Sequence, residues 1–320
     1  MRSFSSNPRR GKARPPQRSN APARRVASDD EKKFLAGTAV NPNTRIILEK
    51  GSDDLSVRAL DLICPIGMGQ RGLVVSSPGL GKTTFLKNIS NAVTNGYPDM
   101  KVYCLLVDER PEEVTDFTRS VKARVYSSSM DHSQESHIKI VDKVMAEVFK
   151  EAVAGHNVMI LLDSLTRLAR VHNAQHRGSG RTMSGGVTAG ALEVPRRIFG
   201  IARNVEGMGS ITILATILVD TGSAMDNVIF EEFKGTWNME MVLSKKLAEK
   251  RVFPAIDASQ RGTRRAELLF DPEEYRRLEL LYRGMASMNN SVAAMEKLIE
   301  LLQKYPSNSE LLESFKDARG

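Results

Sequence analysis

A strand, a glycine-bearing loop and a helix follow one another in the stretch RGLVVSSPGLGKTTFLK, from Arg71 to Lys87. The apolar run Gly72–Val75 predicts a buried strand, Ser77–Gly81 has turn-forming residues, and Lys82 begins a helical pattern. This is the order of a phosphate-binding loop, where backbone N–H groups and the positive end of a helix dipole converge on phosphates. The flanking strand and helix make an ordinary strand–turn–helix the minority interpretation.

The phosphate-loop pattern predicts a specific role for two residues, Lys82 and Thr83. Lys82 is placed to reach the β- and γ-phosphates of a nucleotide, and the Thr83 hydroxyl to bind Mg²⁺. The generic pattern has glycine at a position where this chain has Ser76. The remaining predicted nucleotide contacts in the loop are Gly79, Leu80, Gly81 and Thr84.

The positive charge of the chain is confined to its beginning. Of 46 basic residues, eight lie in residues 1–26, where there is no acid, so the rest of the chain balances its 38 acids with 38 bases. Residues 1–30 contain few large apolar side chains and are predicted to be disordered. This basic tail is either a solvated leader or an arm that binds nucleic acid, and composition favours neither interpretation.

Composition excludes a membrane protein and a disulfide scaffold. The chain has 320 residues, of which 41% are hydrophobic and 26% charged, as in soluble globular proteins. No apolar run approaches the roughly 20 residues of a membrane helix. Cys64 and Cys104 are far apart beside apolar segments, which favours free thiols in a reducing compartment and predicts a cytoplasmic protein.

Apolar strands alternate with helical patterns along the chain. Buried strands are predicted at Val102–Val107, Val158–Leu162 and Ile211–Val219, with helices between them. This alternation predicts an α/β fold with a mostly parallel sheet and helices on both faces. The predicted divisions are the tail (1–30), a lead-in segment (31–65), the core (66–270) and C-terminal helices (271–320).

Weaker patterns lie between these elements. We expect strands at Arg45–Glu49, Ser56–Ile63 and Val252–Ile256, a helix at Leu192–Val205 and a polar loop at Glu231–Met239.

The acids that directly follow the predicted strands Val102–Val107 and Val158–Leu162 are the ones considered for chemistry. Because the carboxyl ends of parallel strands form the ligand edge of an α/β sheet, these acids are candidate site residues. Asp163 follows the run MILL and has the form of an acid that holds Mg²⁺ through water. Glu109 is placed to orient and deprotonate an attacking water, whereas Asp108 either joins it or caps the next helix.

Other kinds of active site find less support. His172 and His176 are four residues apart on a predicted helix, but no acid lies between them and no third ligand is evident. A polar helix end is therefore favoured over a zinc site. No Ser-His-Asp or Cys-His arrangement is placed by a recognisable turn.

The motifs together resemble one family, the ATPase core of the bacterial transcription termination factor Rho. The resemblance runs from about Asn41 to the C-terminus. It is far more specific than a phosphate loop, because DERPEEV followed by EEFKGT is not a general nucleotide-binding pattern. The segments that carry it are PIGMGQRGLVV, GLGKT, VDERPEEVT, ILLDSLTRLAR, SGGV, PRRIFGIARNVE, DTGSAMD, EEFKGTWNMEM and EKRVFPAIDASQRGTRRAELL.

The resemblance implies a RecA-like P-loop NTPase core that assembles as a hexameric ring. In that family, ATP is hydrolysed at subunit interfaces and RNA is pulled through the centre of the ring. The family also has an N-terminal RNA-binding barrel, and roughly 40 residues precede the resemblance here, too few for such a domain. A short form without the barrel is therefore expected.

Further site residues come from the resemblance alone. Arg110 matches an ATP-contacting arginine, Phe253 an aromatic that packs on adenine, and Arg264 an arginine finger given to the neighbouring subunit. Without the family pattern, Phe253 would be taken as core and Arg264 as a solvated side chain. A second nucleotide segment matches at Gly67, Met68, Gly69, Gln70, Arg71 and Gly72. Two loops that line the RNA pore match at Gly178, Ser179, Gly180 and Arg181, and at Lys234, Gly235 and Thr236.

These observations predict an RNA-dependent ATPase that acts in transcription termination as a helicase or translocase on single-stranded RNA. The predicted cofactors are ATP and Mg²⁺, and the predicted partners are single-stranded RNA, further copies of the chain and RNA polymerase, without a membrane. Lys82, Glu109, Asp163 and Arg264 are the predicted catalytic residues. Two alternatives stay open: a non-catalytic subunit that modulates a full-length relative, and a subunit of a rotary or export ATPase.

Overall fold

Parallel strands form the centre of the molecule. The computed structural model describes residues 27–176, 182, 184–288 and 290–315, so most of the predicted basic tail lies outside the described residues. The strands are β1 (Ala39–Val40), β2 (Arg45–Ile46), β3 (Ile66–Gly67), β4 (Arg71–Ser76), β5 (Lys101–Glu109), β6 (Arg124–Ser129), β7 (Val158–Asp163), β8 (Asn204–Val205), β9 (Ile211–Leu218), β10 (Met239–Leu243) and β11 (Ile256–Thr263).

Seven of these strands make one sheet, in the spatial order β11-β10-β4-β9-β7-β5-β6. The strands from β10 to β6 are parallel to their neighbours, while β11 runs antiparallel to β10 at the edge. The parallel strands therefore share a carboxyl edge, where they end, and an amino edge, where they begin. These two terms are used below.

Helices cover both faces of the sheet. They are α1 (Asp29–Ala36), α2 (Leu55–Ile63), α3 (Lys82–Gly96), α4 (Pro111–Ser120), α5 (Gln134–Val153), α6 (Leu165–Gln175), α7 (Glu193–Gly200), α8 (Ala224–Phe233), α9 (Lys245–Glu249), α10 (Pro272–Ala286), α11 (Ser291–Lys304) and α12 (Asn308–Glu313), with 3₁₀ turns at Leu48–Lys50, Ser184–Gly186 and Ala266–Leu269.

Two apolar cores lie on opposite faces of the sheet. One joins the sheet to α2, α3 and the C-terminal helices, with Leu60, Leu86 and Leu298 fully buried. The other joins it to α5, α6 and α7, and includes a contact between the rings of Phe34 and Phe149 at 5.8 Å. Because both faces are covered, the central strands are apolar along their whole length. The predicted α/β fold with a mostly parallel sheet and a helical C-terminal end is confirmed.

In the lead-in segment, one predicted strand is wrong and a second is shorter than predicted. Ser56–Ile63 belongs to a helix, α2, whose first turn is capped by Asp54 through a hydrogen bond from Ser56 N (2.8 Å). Its first five residues, Leu55–Ala59, alternate apolar and polar side chains, which is the pattern of a strand. Arg45–Glu49 is a strand only at its first two residues and then enters a 3₁₀ turn.

Three later segments also differ from expectation. The predicted loop Glu231–Met239 begins inside α8, which buries Ile229 and Phe233 on one face. The predicted helix Leu192–Val205 ends at Gly200, and Asn204–Val205 forms a strand with β1. The predicted strand Val252–Ile256 starts only at its last residue, because Pro254 has no N–H to give to a ladder.

Within the described part of the chain, no helix is both long and apolar enough to cross a membrane.

Candidate functional site

The carboxyl edge of the sheet brings the predicted phosphate loop and two acids together. β4 leads into the loop, β5 ends at Glu109 and β7 ends at Asp163. In the sheet, β7 lies between β5 and β9, and β9 lies beside β4. All of these strands end at the carboxyl edge, so the acids that end β5 and β7 lie beside the start of α3, and residues 27 and 81 positions distant from Lys82 meet its side chain.

Glycine is required in the loop for its backbone conformation. Gly79 has a φ of 81° and Gly81 a φ of 85°, in the left-handed region that side chains disfavour. A Cβ on either residue would meet nothing within 4 Å, so space is not the reason. Ser76 comes before this turn, as the last residue of β4, and pairs with Leu218 of β9. Its φ is not positive, so glycine is not required at this position.

Lys82 begins α3 and points its ammonium at the acids. Its Nζ lies 2.7 and 2.8 Å from the two carboxylate oxygens of Asp163 and 3.3 Å from Oε1 of Glu109. Burial acts to lower the pKa of Lys82, but the two carboxylates outweigh it and the pKa is raised. The lysine is therefore a fixed positive charge at the start of the helix.

Asp163 is held from three sides. Besides Lys82, the Thr83 hydroxyl donates to Oδ2 at 3.2 Å and the Thr216 hydroxyl to Oδ1 at 2.7 Å. The side chain is 1% exposed. These contacts fix the carboxylate beside Thr83, so the predicted pair of Mg²⁺ ligands is brought together.

Glu109 is buried and only partly satisfied. Its Oε1 lies 3.2 Å from Nε of Arg167, while Oε2 has no hydrogen-bond partner. Burial and then the charge of Asp163 raise the pKa of Glu109 to about 7, against the opposing effect of Lys82 and Arg167. A carboxylate with a free oxygen and a pKa near neutrality suits a general base.

An apolar cavity of about 460 Å³ adjoins the loop. It is lined by Leu80, Gly81 and Thr84 on one side and by Phe253 and Pro254 on another. Phe253 is 55% exposed, whereas most large apolar side chains of the described residues are buried. The exposed ring of Phe253 therefore forms part of the wall of the cavity beside the phosphate loop.

Two predicted neighbours of Glu109 differ in their surroundings. Arg110 is exposed and pairs weakly with Glu113, Nη1 to Oε1 at 3.4 Å, so its guanidinium is open to a ligand. Asp108 neither caps α4 nor joins the cluster, because it has a φ of 56° and its carboxylate lies 3.9 Å from Nε2 of His137.

The predicted polar helix end holds for His176, which follows the last residue of α6, but not for His172, which is buried. Burial, followed by the charges of His176 and Arg197, lowers the pKa of His172 to about 4, and the residue is 4% exposed. In the described residues, no group of three or more His, Cys, Asp or Glu side chains is arranged to hold a metal ion.

The segment Gly67–Gly72 does not join the phosphate loop of its own chain. It lies at the amino edge. Gly72 and Ser76 lie near opposite ends of β4, and their separation is roughly 13 Å at the strand rise of about 3.3 Å per residue. Its contacts are structural: Gln70 Nε2 donates to Asn238 Oδ1 at 2.7 Å. A Cβ on Gly72 would overlap the side chains of Leu214 and Met239.

Other residues of this segment are tied down in the same way. Gly69 has a φ of 90° and donates its N–H to the Thr212 hydroxyl at 2.8 Å. Met68 N–H donates to Thr44 O at 2.8 Å. Arg71 uses its guanidinium to donate to backbone carbonyls of Ala202 and Thr236. A turn that fixes β4 accounts for this pattern without a nucleotide.

Arg264 also lies at the amino edge. It follows β11, where Thr263 pairs with Met239, and Met239 in turn pairs with Gly72 at the start of β4. Its charge, after burial and Arg203, helps to lower the pKa of Arg71. Arg264 is exposed and is separated from Lys82 by the length of the sheet, so it does not serve the site of its own chain.

The structure describes one of the two predicted pore loops. Gly178, Ser179, Gly180 and Arg181 lie outside the described residues. Lys234, Gly235 and Thr236 follow α8 at the amino edge, where Lys234 is exposed and its Nζ lies 3.3 Å from Glu231 Oε1. Gly235 has a φ of 86°, which explains a glycine there.

Sequence reasoning missed three polar residues that shape the site. Arg167 contacts Glu109, Thr216 holds Asp163, and Asp220 Oδ2 accepts a hydrogen bond from the hydroxyl of Ser77 in the loop at 2.8 Å. Asp220 follows the predicted strand Ile211–Val219, so the strand-end rule that selected Asp163 would have found it. Thr216 lies inside that strand, where no sequence signal marks it.

Relatives with curated descriptions agree with one another. The chain is 49% identical over 282 residues to "Transcription termination factor Rho" of Haemophilus influenzae, covering 87% of this chain and 67% of the relative. It is 48% identical over 288 residues to the protein of the same description from Rhodopirellula baltica, covering 89% and 56%. The chain belongs to the transcription termination factor Rho family. This confirms the resemblance predicted from the motifs.

Two further comparisons describe the nucleotide-binding fold of this Rho-family chain. Residues 56–261 match the family "ATP synthase alpha/beta family, nucleotide-binding domain". A type III secretion system ATPase of pathogenic bacteria superposes with a TM-score of 0.70 at 22% identity, covering 87% of each chain. The assembled ATPase EscN of enteropathogenic E. coli gives 0.66 at 22%, covering 86% of this chain and 71% of its own. At this identity, these structures support the RecA-like P-loop fold alone.

Proposed function

We propose that this Rho-family chain hydrolyses ATP at its carboxyl edge. The observation that carries the proposal is the meeting of Lys82 with Asp163 and Glu109 directly behind a glycine loop. In this arrangement the loop N–H groups and Lys82 hold the triphosphate, and the exposed ring of Phe253 packs against the base. Arg110, exposed beside Glu109, is available to the phosphates.

Glu109 is the base of the reaction. Its unpartnered Oε2 accepts a proton from water as the water oxygen attacks the γ-phosphorus, and the bond from phosphorus to the ADP oxygen breaks. Arg167, bound to Oε1, keeps the carboxylate turned so that Oε2 stays free. A pKa of about 7 allows this carboxylate both to take the proton and to release it near neutral pH.

The residues fit Mg²⁺ as the ion that accompanies ATP. The Thr83 hydroxyl and Asp163 carboxylate lie 3.2 Å apart beside the loop, and Mg²⁺ commonly takes one or two protein oxygens together with water and phosphate oxygens. When bound, the ion would neutralise charge on the phosphates. Thr216 supports the fit by fixing the orientation of Asp163.

The arginine of the reaction comes from a second copy of the chain. Arg264 is exposed at the amino edge, far from its own Lys82, and so it is available to the carboxyl edge of a neighbour. A contact between unlike edges is heterologous, and such contacts close into a ring when the rotation allows it. Family membership supports a hexamer as the closed form.

Single-stranded RNA is the proposed activator of hydrolysis. Lys234, exposed at the end of α8, and the segment Gly178–Arg181 are the proposed contacts in the central pore, as the family pattern implies. The chain would then act in the cytoplasm as a helicase or translocase in transcription termination, with RNA polymerase as a partner.

The alternatives are less well supported. A non-catalytic subunit would not require the contact between Lys82 and Asp163, nor the nearby carboxylate of Glu109 with its unpartnered Oε2, and both are present. A rotary or export ATPase subunit shares the fold at 22% identity, whereas the Rho relatives share 46 to 49%.

Phosphate release from ATP, measured with and without a single-stranded RNA and with single-stranded DNA as control, tests the proposal. We expect turnover that RNA raises and DNA does not. Turnover that is the same in all three conditions would contradict RNA dependence, and no turnover at all with RNA present would favour the non-catalytic alternative.

A further inference from the structure

The cavity beside the phosphate loop has a mostly apolar lining with a few polar side chains. Its lining residues come from the phosphate loop, from α3, from residues 253–255 and from the start of α2. The polar side chains among them belong to Asp54, Ser56, Thr84 and Asn88. In the proposed function, the phosphates lie at the start of α3 and the base enters this cavity, so these side chains are the ones available to the polar edge of the base.

Asn88 lies along α3 in the direction that leads away from the phosphates. It follows Lys82 by six residues and Thr84 by four. At 1.5 Å of rise per residue, Asn88 lies roughly 9 Å along the helix axis from Lys82. Residues four apart share one face of a helix, and both Thr84 and Asn88 line the cavity. Asn88 is therefore placed beside the base rather than the phosphates.

The orientation of the Asn88 amide is determined by its neighbours. Asn88 Nδ2 donates to Ser56 Oγ at 3.1 Å, and the Ser56 hydroxyl donates to Asp54 Oδ1. A carboxylate only accepts, and a serine hydroxyl has a single proton. Because Ser56 gives that proton to Asp54, its oxygen must accept from Asn88. The NH₂ group of the amide is thus held at Ser56, and the amide oxygen is kept for another partner.

Two oxygens in this wall are accessible acceptors. Among the described residues, none donates a hydrogen bond to Asn88 Oδ1. Asn88 is partly exposed, and its oxygen is not one of the enclosed atoms that lack a partner, so a ligand in the cavity can reach it. Asp54 is exposed, and both hydrogen bonds that it accepts from Ser56 use Oδ1, which leaves Oδ2 available. This wall therefore favours a ligand edge that donates.

We propose that Asn88 selects adenine over guanine as the base of the bound nucleotide, an inference that rests on the proposed function. Adenine carries a donating amino group at the position where guanine carries an accepting oxygen. The adenine amino group donates to Asn88 Oδ1 while the ring packs on Phe253. The guanine oxygen would instead face Asn88 Oδ1, and neither acceptor would find a donor. A site built to bond one polar group rejects an analogue that lacks it, because the polar atoms of the site stay unpaired.

Competition binding to the full chain tests the selection, with a fluorescent ATP analogue displaced by ATP, GTP or inosine triphosphate in the presence of Mg²⁺. Inosine triphosphate keeps the oxygen of GTP and lacks its second amino group, so it reports on the oxygen alone. We expect ATP to bind roughly tenfold more tightly than either of the other two nucleotides.

Two variants test the assigned atoms. Asn88→Leu removes the acceptor, so ATP and GTP should bind with affinities within about twofold of each other. Ser56→Ala releases the amide, which can then turn its NH₂ group toward guanine, so the preference for ATP should fall. The backbone bond from Ser56 N to Asp54, which caps α2, is retained in this variant. Asn91→Leu, on the same helix but outside the cavity, is the control and should keep the preference of the unaltered chain.

The outcomes separate this inference from the proposed function. Equal affinity of the unaltered chain for ATP and GTP, or an unchanged preference in Asn88→Leu, would overturn the role of Asn88 and leave ATP hydrolysis standing. If neither nucleotide binds, both are overturned. Should circular dichroism show that Asn88→Leu does not fold, Ser56→Ala decides, and an unchanged preference for ATP in that variant would overturn the selection.

Discussion

The ammonium of Lys82 lies 2.7 Å from the carboxylate of Asp163, although 81 positions separate the two residues in the chain. The contact exists because β4 and β7 end at the same edge of a parallel sheet. It ties the phosphate loop to the strand that supplies the proposed Mg²⁺ ligand.

The first prediction concerns this lysine. Lys82→Ala removes the positive charge that faces the phosphates, so ATP binding should weaken by roughly 10- to 100-fold, the loss of a charge-assisted hydrogen bond of about 1.5–3 kcal/mol. Equilibrium titration with a fluorescent ATP analogue measures it. Lys87→Ala, on the same helix and paired with Asp116, is the control and should bind normally. Equal binding by the two variants would refute the phosphate contact.

A second prediction follows from the pKa of Glu109, which burial and Asp163 raise to about 7. The base must be ionised to accept a proton, so kcat/KM should rise with pH through a midpoint near 7. The charge of Arg167 lowers the pKa of Glu109, so Arg167→Met should move the midpoint to higher pH. A rate that does not change between about pH 6 and pH 8 would argue against Glu109 as the base.

The third prediction tests whether Arg264 acts on a neighbour. Arg264→Ala and Glu109→Gln should each abolish most ATP turnover when alone. Mixed rings contain some interfaces with both groups intact, so mixing the two proteins should restore part of the activity. Arg265→Ala, at the next exposed position, should need no rescue. Absence of recovery in rings shown to be mixed would speak against a shared site.

A fourth prediction concerns Lys234, which is exposed at the amino edge and distant from the nucleotide cavity. Lys234→Ala should retain ATP affinity and lose stimulation by RNA. Lys250→Ala is an exposed lysine control that should keep both. Normal stimulation in Lys234→Ala would exclude this loop from the RNA path.

The sequence alone predicted those site residues for which a local motif and the geometry of a parallel sheet indicate the same position. Strand-end acids and a glycine loop have fixed positions relative to a parallel sheet, so Glu109 and Asp163 were placed without coordinates. Arg167, on α6, contacts Glu109, and Thr216, on β9, contacts Asp163. Their roles depend on strand order, which the sequence does not contain.

The misassigned segments have a different cause. α2 packs against the C-terminal helices, where its Arg58 donates to Leu302 O and Tyr305 O. The alternation of apolar and polar residues over Leu55–Ala59 imitates a strand, and the partners that bury the polar Arg58 in a helix come from the distant end of the chain. Gly67–Gly72 was predicted from a motif to contact the nucleotide, and the direction of β4 places it at the edge opposite the phosphate loop of its own chain, so this role stays a prediction.

The account rests most directly on Glu109 as the general base. Phosphate release by Glu109→Gln at saturating ATP and RNA should fall by about 10²-fold or more, while ATP binding stays unchanged, because the amide keeps the shape but takes no proton. Glu112→Gln, exposed on α4, should release phosphate at the unaltered rate. Turnover of Glu109→Gln equal to that of the unaltered chain would contradict the mechanism.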